Sequence, residues 1–283
     1  MKFLKIRSRH PSHNSLRRLI KVNCNAVLRL GSQTLNSEIF PNLRSTAKII
    51  EINTPTAVAN SANKLLMKNC FTANDVKTAL WFTAENNTTF VNKFTNSNVS
   101  INELPYPIVA KHILGSRNRG NTLIANKQEL ESWMQNKTLS NYIFEKYYSY
   151  SREYRLHVTE DGCFYTCRKM LKSDVPEDKR WYRNDSNSVW VLGSNELFNK
   201  PINWESIVNE CVKSLKSVGL DIGAVDLRVQ SAEDRKKSGK VVHRASPEFI
   251  VVEINSAPSF GELTLEHYAN ELPKLINKKS KII

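Results

Sequence analysis

Two short apolar segments near the C-terminal end of the chain each carry an acidic residue among hydrophobic neighbours. Asp226 lies within residues 223–227 and Glu253 within residues 249–254, and both segments have the composition of a buried β-strand. Residues two apart on a strand point to the same face, so Glu253 shares a face with Asn255. Because an isolated carboxylate is costly to bury, these acids need a cationic partner or a bound cation. The sequence therefore predicts two interior strands whose polar side chains meet.

If the two strands pair across the basic loop 231–246, three oxygen-bearing side chains converge. Two carboxylates and an amide oxygen are ligands that Mg²⁺ accepts, with substrate phosphates completing its coordination. The alternative is that the acids form salt bridges, with Arg228 or Lys169 as the partner. The predicted metal ligands are Asp226, Glu253 and Asn255.

A second set of features surrounds Lys111. The pattern of residues 107–112 predicts a strand, and the turn 115–121 that follows is bounded by Gly115 and Gly120. Glycines let a backbone approach a ligand closely, and successive N–H groups in such a turn can hold a phosphate. The spacing is not that of a P-loop, because no Gly-Lys-Ser/Thr follows. An ordinary β-hairpin with two glycines and a lysine fits the same pattern.

A third set of features lies at the end of the next predicted strand, where Glu145, Lys146 and Tyr147 are followed by Glu153. A strand edge at this place would offer backbone groups to an adenine, and Glu153 would accept hydrogen bonds from ribose hydroxyls. The alternative is an ordinary exposed strand with charged side chains.

Length and composition exclude several classes of protein. The chain has 283 residues, enough for two lobes with sizeable cores, and its hydrophobic fraction of 40% indicates a folded chain. Its longest apolar stretches fall far short of the ~20 residues that cross a bilayer, so no membrane segment is expected. Five irregularly spaced cysteines and a basic N-terminus without an apolar signal region favour a reducing cytoplasm. The net charge of +14 favours acidic partners, among them nucleotide phosphates and nucleic acid.

The predicted elements mix helices with antiparallel hairpins, which indicates an α+β fold of two lobes. Strands are predicted at 152–158 and 163–170, and an amphipathic helix at 204–218. Residues 84–104 are polar and Asn-rich, and they predict a connecting region with a lobe boundary near residue 100. Residues 172–200 predict a long irregular loop. Further helices are predicted at 57–71, 127–135 and 263–276.

Five segments of the chain resemble those of one enzyme superfamily. The order and spacing found in ATP-grasp enzymes are those of residues 107–111, the glycine-bounded turn 115–121, and residues 144–147, 220–226 and 252–258. The resemblance covers roughly residues 48–265. Its most specific parts are the last two segments, and it is close to short phage- or bacterial-type proteins related to ribosomal-protein glutamate ligases.

The resemblance implies an ATP-grasp fold in which two antiparallel-sheet lobes clamp a nucleotide. It divides the chain into an N-terminal lobe at 1–100 and an ATP-grasp domain at 101–283. Within that domain, residues 101–148 form a central lobe with a lid, and residues 149–283 form a metal-binding core.

The resemblance also implies roles for individual residues. One or two magnesium ions would be bound by the three predicted metal ligands, and the loop 115–121 would close over the phosphates. The implied nucleotide contacts are Lys111 on the α- and β-phosphates, Ser116 and Gly120 in the lid, Glu145 and Tyr147 around the adenine, Lys146 near the purine edge, Glu153 at the ribose, and Lys64 before the first helix of the nucleotide domain.

The implied reaction is ATP-dependent: a substrate carboxylate is phosphorylated to an acylphosphate, which an amine then attacks. The substrates would be a peptide, a protein or an amino acid. Arg168, Lys169 and Arg228 are the candidates to stabilise the acylphosphate, and their alternative is to be solvated strand charges. The chain departs from the family pattern at Arg117 and Arg119 in the lid. It departs again at Ala224, where amino-acid ligases of this superfamily often place an arginine.

Two other functions fit the same sequence. The excess of positive charge allows a nucleic-acid-binding or scaffold protein on a degenerate ATP-grasp fold, and the nucleotide site alone also fits a kinase that phosphorylates a hydroxyl. The location expected for all three is the cytoplasm, or the host cytoplasm if a phage encodes the chain. A homodimer is compatible with the fold.

Overall fold

A three-stranded parallel sheet forms the N-terminal part of the molecule. In the computed structural model, residues 4–8, 10–42, 48–116, 119–235 and 241–281 are described. The parallel strands pair in the order β1-β2-β3, and Arg29 is buried within β2, where it pairs with Glu51 at 2.7 Å. The elements are β1 (Leu4–Ser8), α1 (Leu16–Leu19), β2 (Ala26–Leu30), α2 (Asn36–Ile39) and β3 (Ile50–Ile52).

Two helices follow where the sequence predicts one. Helix α3 (Pro55–Ala62) begins at the predicted cap Thr54, whose hydroxyl accepts a hydrogen bond from the N–H of Ala57. Asn63 then adopts an extended conformation, which ends α3. Its side chain accepts from the N–H groups at the start of α4 (Lys64–Ala73), so one asparagine both breaks the helix and caps the next.

A six-stranded antiparallel sheet forms the central lobe, in the order β6-β5-β4-β9-β7-β8. The Asn-rich region 84–104 contains a hairpin of this sheet, because the Asn86 side chain accepts from the N–H groups of its turn and Phe90 is fully buried. The sheet therefore continues across residue 100, where the sequence predicts a lobe boundary. The elements are β4 (Trp81–Ala84), β5 (Thr89–Asn92), β6 (Ser97–Ser100), β7 (Ile108–His112), β8 (Asn121–Ile124), α5 (Lys127–Met134) and β9 (Tyr142–Lys146).

A five-stranded antiparallel sheet forms the C-terminal part, in the order β12-β11-β10-β13-β16. The two strands that carry the predicted metal ligands, β13 and β16, are paired as expected. The region 172–200, predicted to be irregular, contributes the edge strand β12. The elements are β10 (Arg152–Thr159), β11 (Gly162–Leu171), β12 (Ser188–Leu192), α6 (Trp204–Val218), β13 (Ile222–Val229), β14 (Glu233–Arg235), β15 (Val241–His243) and β16 (Phe249–Asn255), of which β14 and β15 form a separate pair.

Helix α7 (Glu262–Ser280) joins the parallel sheet to the five-stranded sheet. Its residues Tyr268 and Leu272 share one hydrophobic core with Leu28 of β2 and Ile222 of β13. A second core, between α6 and the opposite face of the five-stranded sheet, also includes side chains of α3 and α4. The six-stranded sheet has a core of its own with α5. Within the described ranges, no helix combines the length and apolar character that crossing a membrane requires.

Candidate active site

The two faces of the five-stranded sheet differ because side chains alternate along each strand. On β10, Tyr154 and Leu156 point into the core beneath α6. The odd-numbered residues Glu153, Arg155 and His157 point to the opposite face, which lines an open cleft or the cavity beside it. All three metal ligands predicted from the sequence lie on this second face.

Asp226 is held by Arg155, its direct neighbour across the β10–β13 pair. The Nε and Nη2 groups of Arg155 each donate to one oxygen of Asp226 at 2.7 Å, which is a bidentate pair. Burial alone would lower the pKa of the Arg155 guanidinium, but the charge and hydrogen bonds of Asp226 raise it overall. The sequence names Arg228 and Lys169 as alternative partners of this acid, whereas the structure gives it Arg155.

Glu253 lies directly opposite Asp226 on the neighbouring strand. The pairing of β13 with β16 shifts register between Asp226 and Leu227, so a β-bulge places the two carboxylates side by side. The Nδ2 atom of Asn255 lies 3.3 Å from an oxygen of Asp226 and 3.3 Å from an oxygen of Glu253. The strands thus bring all three side chains together. We call these residues, with Arg155, the carboxylate cluster.

The donors of the carboxylate cluster fit magnesium. Two carboxylates and an amide are hard oxygen donors, and Glu253 is partly exposed to the cleft, which leaves room for water and phosphate ligands. Over the described ranges, three or more His, Cys, Asp or Glu side chains nowhere gather into a metal site. The cluster therefore depends on the amide of Asn255 as its third donor.

A second charged cluster lies around Glu145, where the central lobe meets helix α4. Its carboxylate is 2.8 Å from Nζ of Lys111 and 3.3 Å from Nζ of Lys68, and all three side chains are buried. Burial alone would raise the pKa of Glu145, but the two ammonium groups lower it overall. Burial lowers the pKa of Lys68 to about 8. We call these residues, with Lys64, the lysine cluster.

Lys64 connects helix α4 to the loop after β7. Its backbone N–H donates to the carbonyl oxygen of Ile113 at 2.8 Å, and its ammonium group donates to the carbonyl oxygen of Gly115. Burial lowers the pKa of Lys64, and the charge of Glu253 opposes this shift. Lys64 is therefore close enough to interact electrostatically with both clusters.

The predicted lid begins at Gly115, where a side chain has no room. A Cβ atom there would lie 2.5 Å from the carbonyl oxygen of Arg119. Gly120 has a φ of 78°, a left-handed conformation that favours glycine. Ser116 lines the cleft, whereas Arg117 lies outside the described residues. Both predicted glycines are thus required by the backbone of this turn.

The cleft between the two antiparallel sheets has a volume of about 540 Å³. This is ample for a small-molecule site, which typically occupies roughly 300–1,000 Å³. The predicted site residues that line it are Lys64, Lys111, Ser116, Glu145, Lys146, Tyr147, Glu153, Lys169, Asp226, Arg228, Glu253 and Asn255.

The residues predicted to hold adenine and ribose have partners within the protein. Glu153 pairs with Nε of Arg228 at 3.2 Å and with Nη1 of Arg183 at 3.5 Å. The Arg228 guanidinium lies 5.7 Å from the centre of the Tyr147 ring. Glu153 is therefore held in place by two arginines at one end of the cleft.

Strand β9 is an interior strand, not the edge that the sequence predicts. It lies between β4 and β7, and the backbone N–H groups of Lys146 and Tyr147 donate to the carbonyl oxygens of Leu80 and Pro107. The Lys146 ammonium group lies 5.3 Å from the centre of the Tyr148 ring. The side chains of Lys146 and Tyr147 remain at the cleft, but these two N–H groups are already used.

The two predicted catalytic residues on β11 point to opposite faces. Lys169 faces the cleft, where its ammonium group lies 4.9 Å from the centre of the Trp190 ring. Arg168 points away, and its guanidinium donates to the carbonyl oxygen of Leu197 at 2.7 Å. The structure thus brings Lys169 and Arg228 to the cleft but not Arg168. Gly120 shapes the lid turn and does not line the cleft.

The sequence analysis does not single out three charged residues of the site. Lys68 could have been predicted as a site residue, because it follows Lys64 at the i, i+4 spacing that places both on one face of a helix. Arg155 shares a strand face with Glu153, although only the pairing with β13 shows that it meets Asp226. Arg183 comes from an irregular segment without a periodic pattern.

Comparison with known proteins supports the architecture. No family model matches the chain, and no curated protein matches it. Carboxyaminoimidazole ribonucleotide synthase from Aspergillus clavatus, complexed with ATP, is similar in structure, with a TM-score of 0.54, 16% identity, and 90% of this chain and 60% of that chain covered. D-alanine–D-alanine ligase from Bacillus anthracis is similar with a TM-score of 0.59 and 13% identity, over 99% of this chain and 97% of that chain. The ATP-grasp ligase PsnB, complexed with a minimal precursor, is similar with a TM-score of 0.54 and 12% identity, over 91% of this chain and 81% of that chain.

These similarities establish the fold. The chain has the α+β ATP-grasp fold that its motifs predict. It spans about 60% of the length of the synthase chains it matches, whereas it matches nearly the whole ligase from B. anthracis. The relation to ribosomal-protein glutamate ligases stays a prediction.

Proposed function

We propose that this chain is an ATP- and magnesium-dependent ligase that joins a carboxylate to an amine. The observation that carries the proposal is the pair of clusters that border one cleft. The lysine cluster has an excess of positive charge, and the carboxylate cluster has an excess of negative charge. A phosphate chain with its metal ion presents the complementary charges to both.

Each cluster has a distinct role in this proposal. Lys111 and Lys64 bind nucleotide phosphates, and Glu145 holds Lys111 in position through its 2.8 Å ion pair. Asp226, Glu253 and Asn255 would hold magnesium, which when bound would supply positive charge to neutralise the transferring phosphoryl group. Ser116 and Gly120 belong to the loop over the phosphates, while Lys146, Tyr147 and Glu153 border the nucleoside end.

The proposed reaction has two steps. A substrate carboxylate oxygen attacks the γ-phosphorus of ATP, the bond to the β-phosphate oxygen breaks, and ADP leaves. The nitrogen of the amine then attacks the acyl carbon, and the bond from carbon to the phosphate oxygen breaks. The departing phosphate takes up the surplus proton of the amine. Lys169 and Arg228 are the cleft residues proposed to stabilise the negative charge of the acylphosphate.

The similar structures support this class of reaction. One of them is a synthase complexed with ATP, and two others are named as ligases. For this chain, the substrates proposed are a carboxylate and an amine carried by a peptide, a protein or an amino acid.

The first experiment is thermal unfolding with Mg-ADP. A ligand that binds only the native state raises the melting temperature by mass action, so wild type should be stabilised and the variant Asp226→Asn/Glu253→Gln should not. Glu266→Gln, on an exposed position of α7, is the matched control and should behave as wild type. An unchanged melting temperature of wild type at millimolar Mg-ADP would overturn the proposal.

Hydroxylamine separates a ligase from a kinase. An acylphosphate reacts with hydroxylamine to give a hydroxamate, whereas a phosphate ester of a hydroxyl does not. ATP consumption with a panel of carboxylates should therefore yield hydroxamate in wild type. Phosphorylated product without hydroxamate would favour the kinase.

A further inference from the structure

The face of the five-stranded sheet that carries the carboxylate cluster continues beyond Arg155 into a second cavity. This side cavity has a volume of about 320 Å³, and it adjoins the cleft because Arg155, Trp190 and Ser259 line both. Its other lining residues include His157, Tyr165, Leu192, Glu262 and Leu263.

Aromatic and apolar side chains form the walls of the side cavity, and two of them are exposed to solvent. Trp190 is 38% exposed and Leu263 is 44% exposed, although both belong to well-formed elements. Tyr165 and Leu192 add further apolar surface from β11 and β12. Exposed apolar groups that converge on a concavity are typical of a ligand site.

Both aromatic walls of the side cavity contact neighbouring side chains. The Tyr165 ring stacks on His267, with ring centres 4.6 Å apart and an angle of 28° between the planes. Trp190 has the guanidinium of Arg155 at 4.8 Å and the ammonium of Lys169 at 4.9 Å from its ring centre. A cavity with fixed aromatic walls selects for shape at a low entropic cost.

Among the described residues that line the side cavity, no cation lacks a compensating charge. Arg155 directs its Nε and Nη2 groups at Asp226, so its charge is compensated. His157 is buried and hydrogen-bonded to the Tyr268 hydroxyl at 3.1 Å, and burial lowers its pKa to about 3, so it is neutral at pH 7. The carboxylate of Glu262 already complements the N-terminus of α7. A second carboxylate would therefore find no charge partner among the lining residues of this cavity, since Lys169 lines the cleft on the other side of Trp190.

We propose that the side cavity receives an uncharged aromatic or large apolar side chain carried by one of the two substrates. The inference rests on the proposed function, because it places the reacting carboxylate and amine between the carboxylate cluster and Trp190. The volume suits a single side chain, since it lies near the lower limit of small-molecule cavities. Substrates with an acidic side chain are disfavoured.

The test uses small probes in place of the unknown substrates. Phenylpropionate presents an aromatic group with a carboxylate, phenethylamine presents it with an amine, and glutarate presents an acidic group. Binding of each is measured by calorimetry with a non-hydrolysable ATP analogue and magnesium present, and again without nucleotide. We expect one of the two aromatic probes to bind at least about tenfold more tightly than glutarate. The aromatic probe that binds identifies whether the carboxylate substrate or the amine substrate carries the side chain.

Two tryptophan substitutions on one strand provide the variant and its control. Leu192→Trp fills the side cavity and should weaken the aromatic probe about tenfold or more. Val189→Trp is the matched control, because Val189 is 47% exposed on the same strand and lines neither cavity. Both variants should keep the wild-type stabilisation by Mg-ADP, which also shows that they fold.

Equal or tighter binding of glutarate would overturn the inference, and so would unchanged binding of the aromatic probe to Leu192→Trp. Failure of Mg-ADP to stabilise wild type is a separate result. It contradicts the proposed function, while the measurement without nucleotide still reports on the side cavity.

Discussion

The lysine cluster and the carboxylate cluster carry net charges of opposite sign. In the lysine cluster, one carboxylate, Glu145, is paired with both Lys68 and Lys111, so the excess charge is positive. In the five-stranded sheet, one guanidinium, Arg155, neutralises Asp226 alone, and the neighbouring Glu253 leaves the excess negative. The cleft thus has one border suited to phosphate and another suited to a cation.

The comparison also separates two kinds of buried acid. Glu145 is only 4% exposed and has two lysines as partners, so its role is to position them. Glu253 is partly exposed to the cleft and lies beside another carboxylate. A conspicuous acid in a predicted strand is therefore a candidate metal ligand only when the cations around it do not neutralise its negative charge.

The largest effect is expected from removing the single cation of the carboxylate cluster. Arg155→Met leaves Asp226, whose side chain is 13% exposed, without its partner, which should cost about 3 kcal/mol of unfolding free energy. Magnesium should recover part of this loss, because it supplies the missing positive charge. Urea unfolding with and without magnesium measures both effects. Arg168→Met, on the adjacent strand and facing away, is the control, and an equal response of the two variants to magnesium would contradict the assignment.

The next largest effect is expected at the other carboxylate. Glu253→Gln keeps the pair of Arg155 and Asp226 but removes a metal ligand. At a nucleotide concentration a hundredfold above Kd, wild type should gain about 2.7 kcal/mol of stability, and a hundredfold loss of affinity would leave less than about 0.5 kcal/mol. Thermal unfolding with Mg-ADP provides the measurement. If Mg-ADP stabilised the variant as much as wild type, Glu253 would not be a metal ligand.

A smaller effect, of a different kind, is expected in the lysine cluster. Lys111→Met removes a phosphate contact worth about 1.5–3 kcal/mol, so ADP affinity should fall about 10- to 100-fold. Glu145 keeps Lys68 as its partner, so the fold is retained. Calorimetry with and without magnesium should show the loss in both conditions, whereas Glu253→Gln should lose only the magnesium-dependent part. If Lys111→Met lost ADP affinity only in the presence of magnesium, the two clusters would not have the separate roles proposed here.

The smallest effect at neutral pH is expected from Lys68→Met, because the pair of Glu145 and Lys111 remains. Burial lowers the pKa of Lys68 from 10.5 to about 8, so between these values the unfolded chain binds more protons. The free energy of unfolding therefore rises with pH across this window in wild type. Lys68→Met should lack that contribution, which urea unfolding from pH 7 to pH 10 would reveal. Identical pH profiles would show that Lys68 is not the group responsible.

Alternation along strands explains how much of the site the sequence predicts. Asp226, Glu253 and Asn255 stand out because polar residues interrupt apolar strands, and the structure does bring them together. The same rule requires Arg168 and Lys169 to face opposite sides. Which of them faces the cleft depends on the pairing of β11 with its neighbours. That register cannot be recognised from the pattern of this one sequence.

Partners across strands account for what the sequence did not predict. Arg155 meets Asp226 only through the pairing of β10 with β13, and the bulge in β16 is invisible in the composition of the segment. The hairpin within 84–104 was missed because its asparagines serve as turn residues. Its apolar signals are few, namely Phe90 and Val91 in β5 and Val99 in β6.

The hydrophobic cores show that the lysine cluster is assembled from two parts of the molecule. The parallel sheet and the five-stranded sheet are joined through α7, whereas the six-stranded sheet packs around its own core. Lys111 and Glu145 belong to the six-stranded sheet, but Lys64 and Lys68 lie on α4, which shares the core beneath α6 with the five-stranded sheet. A nucleotide whose phosphates contact Lys64 and Lys111 would therefore be held by both parts of the molecule at once.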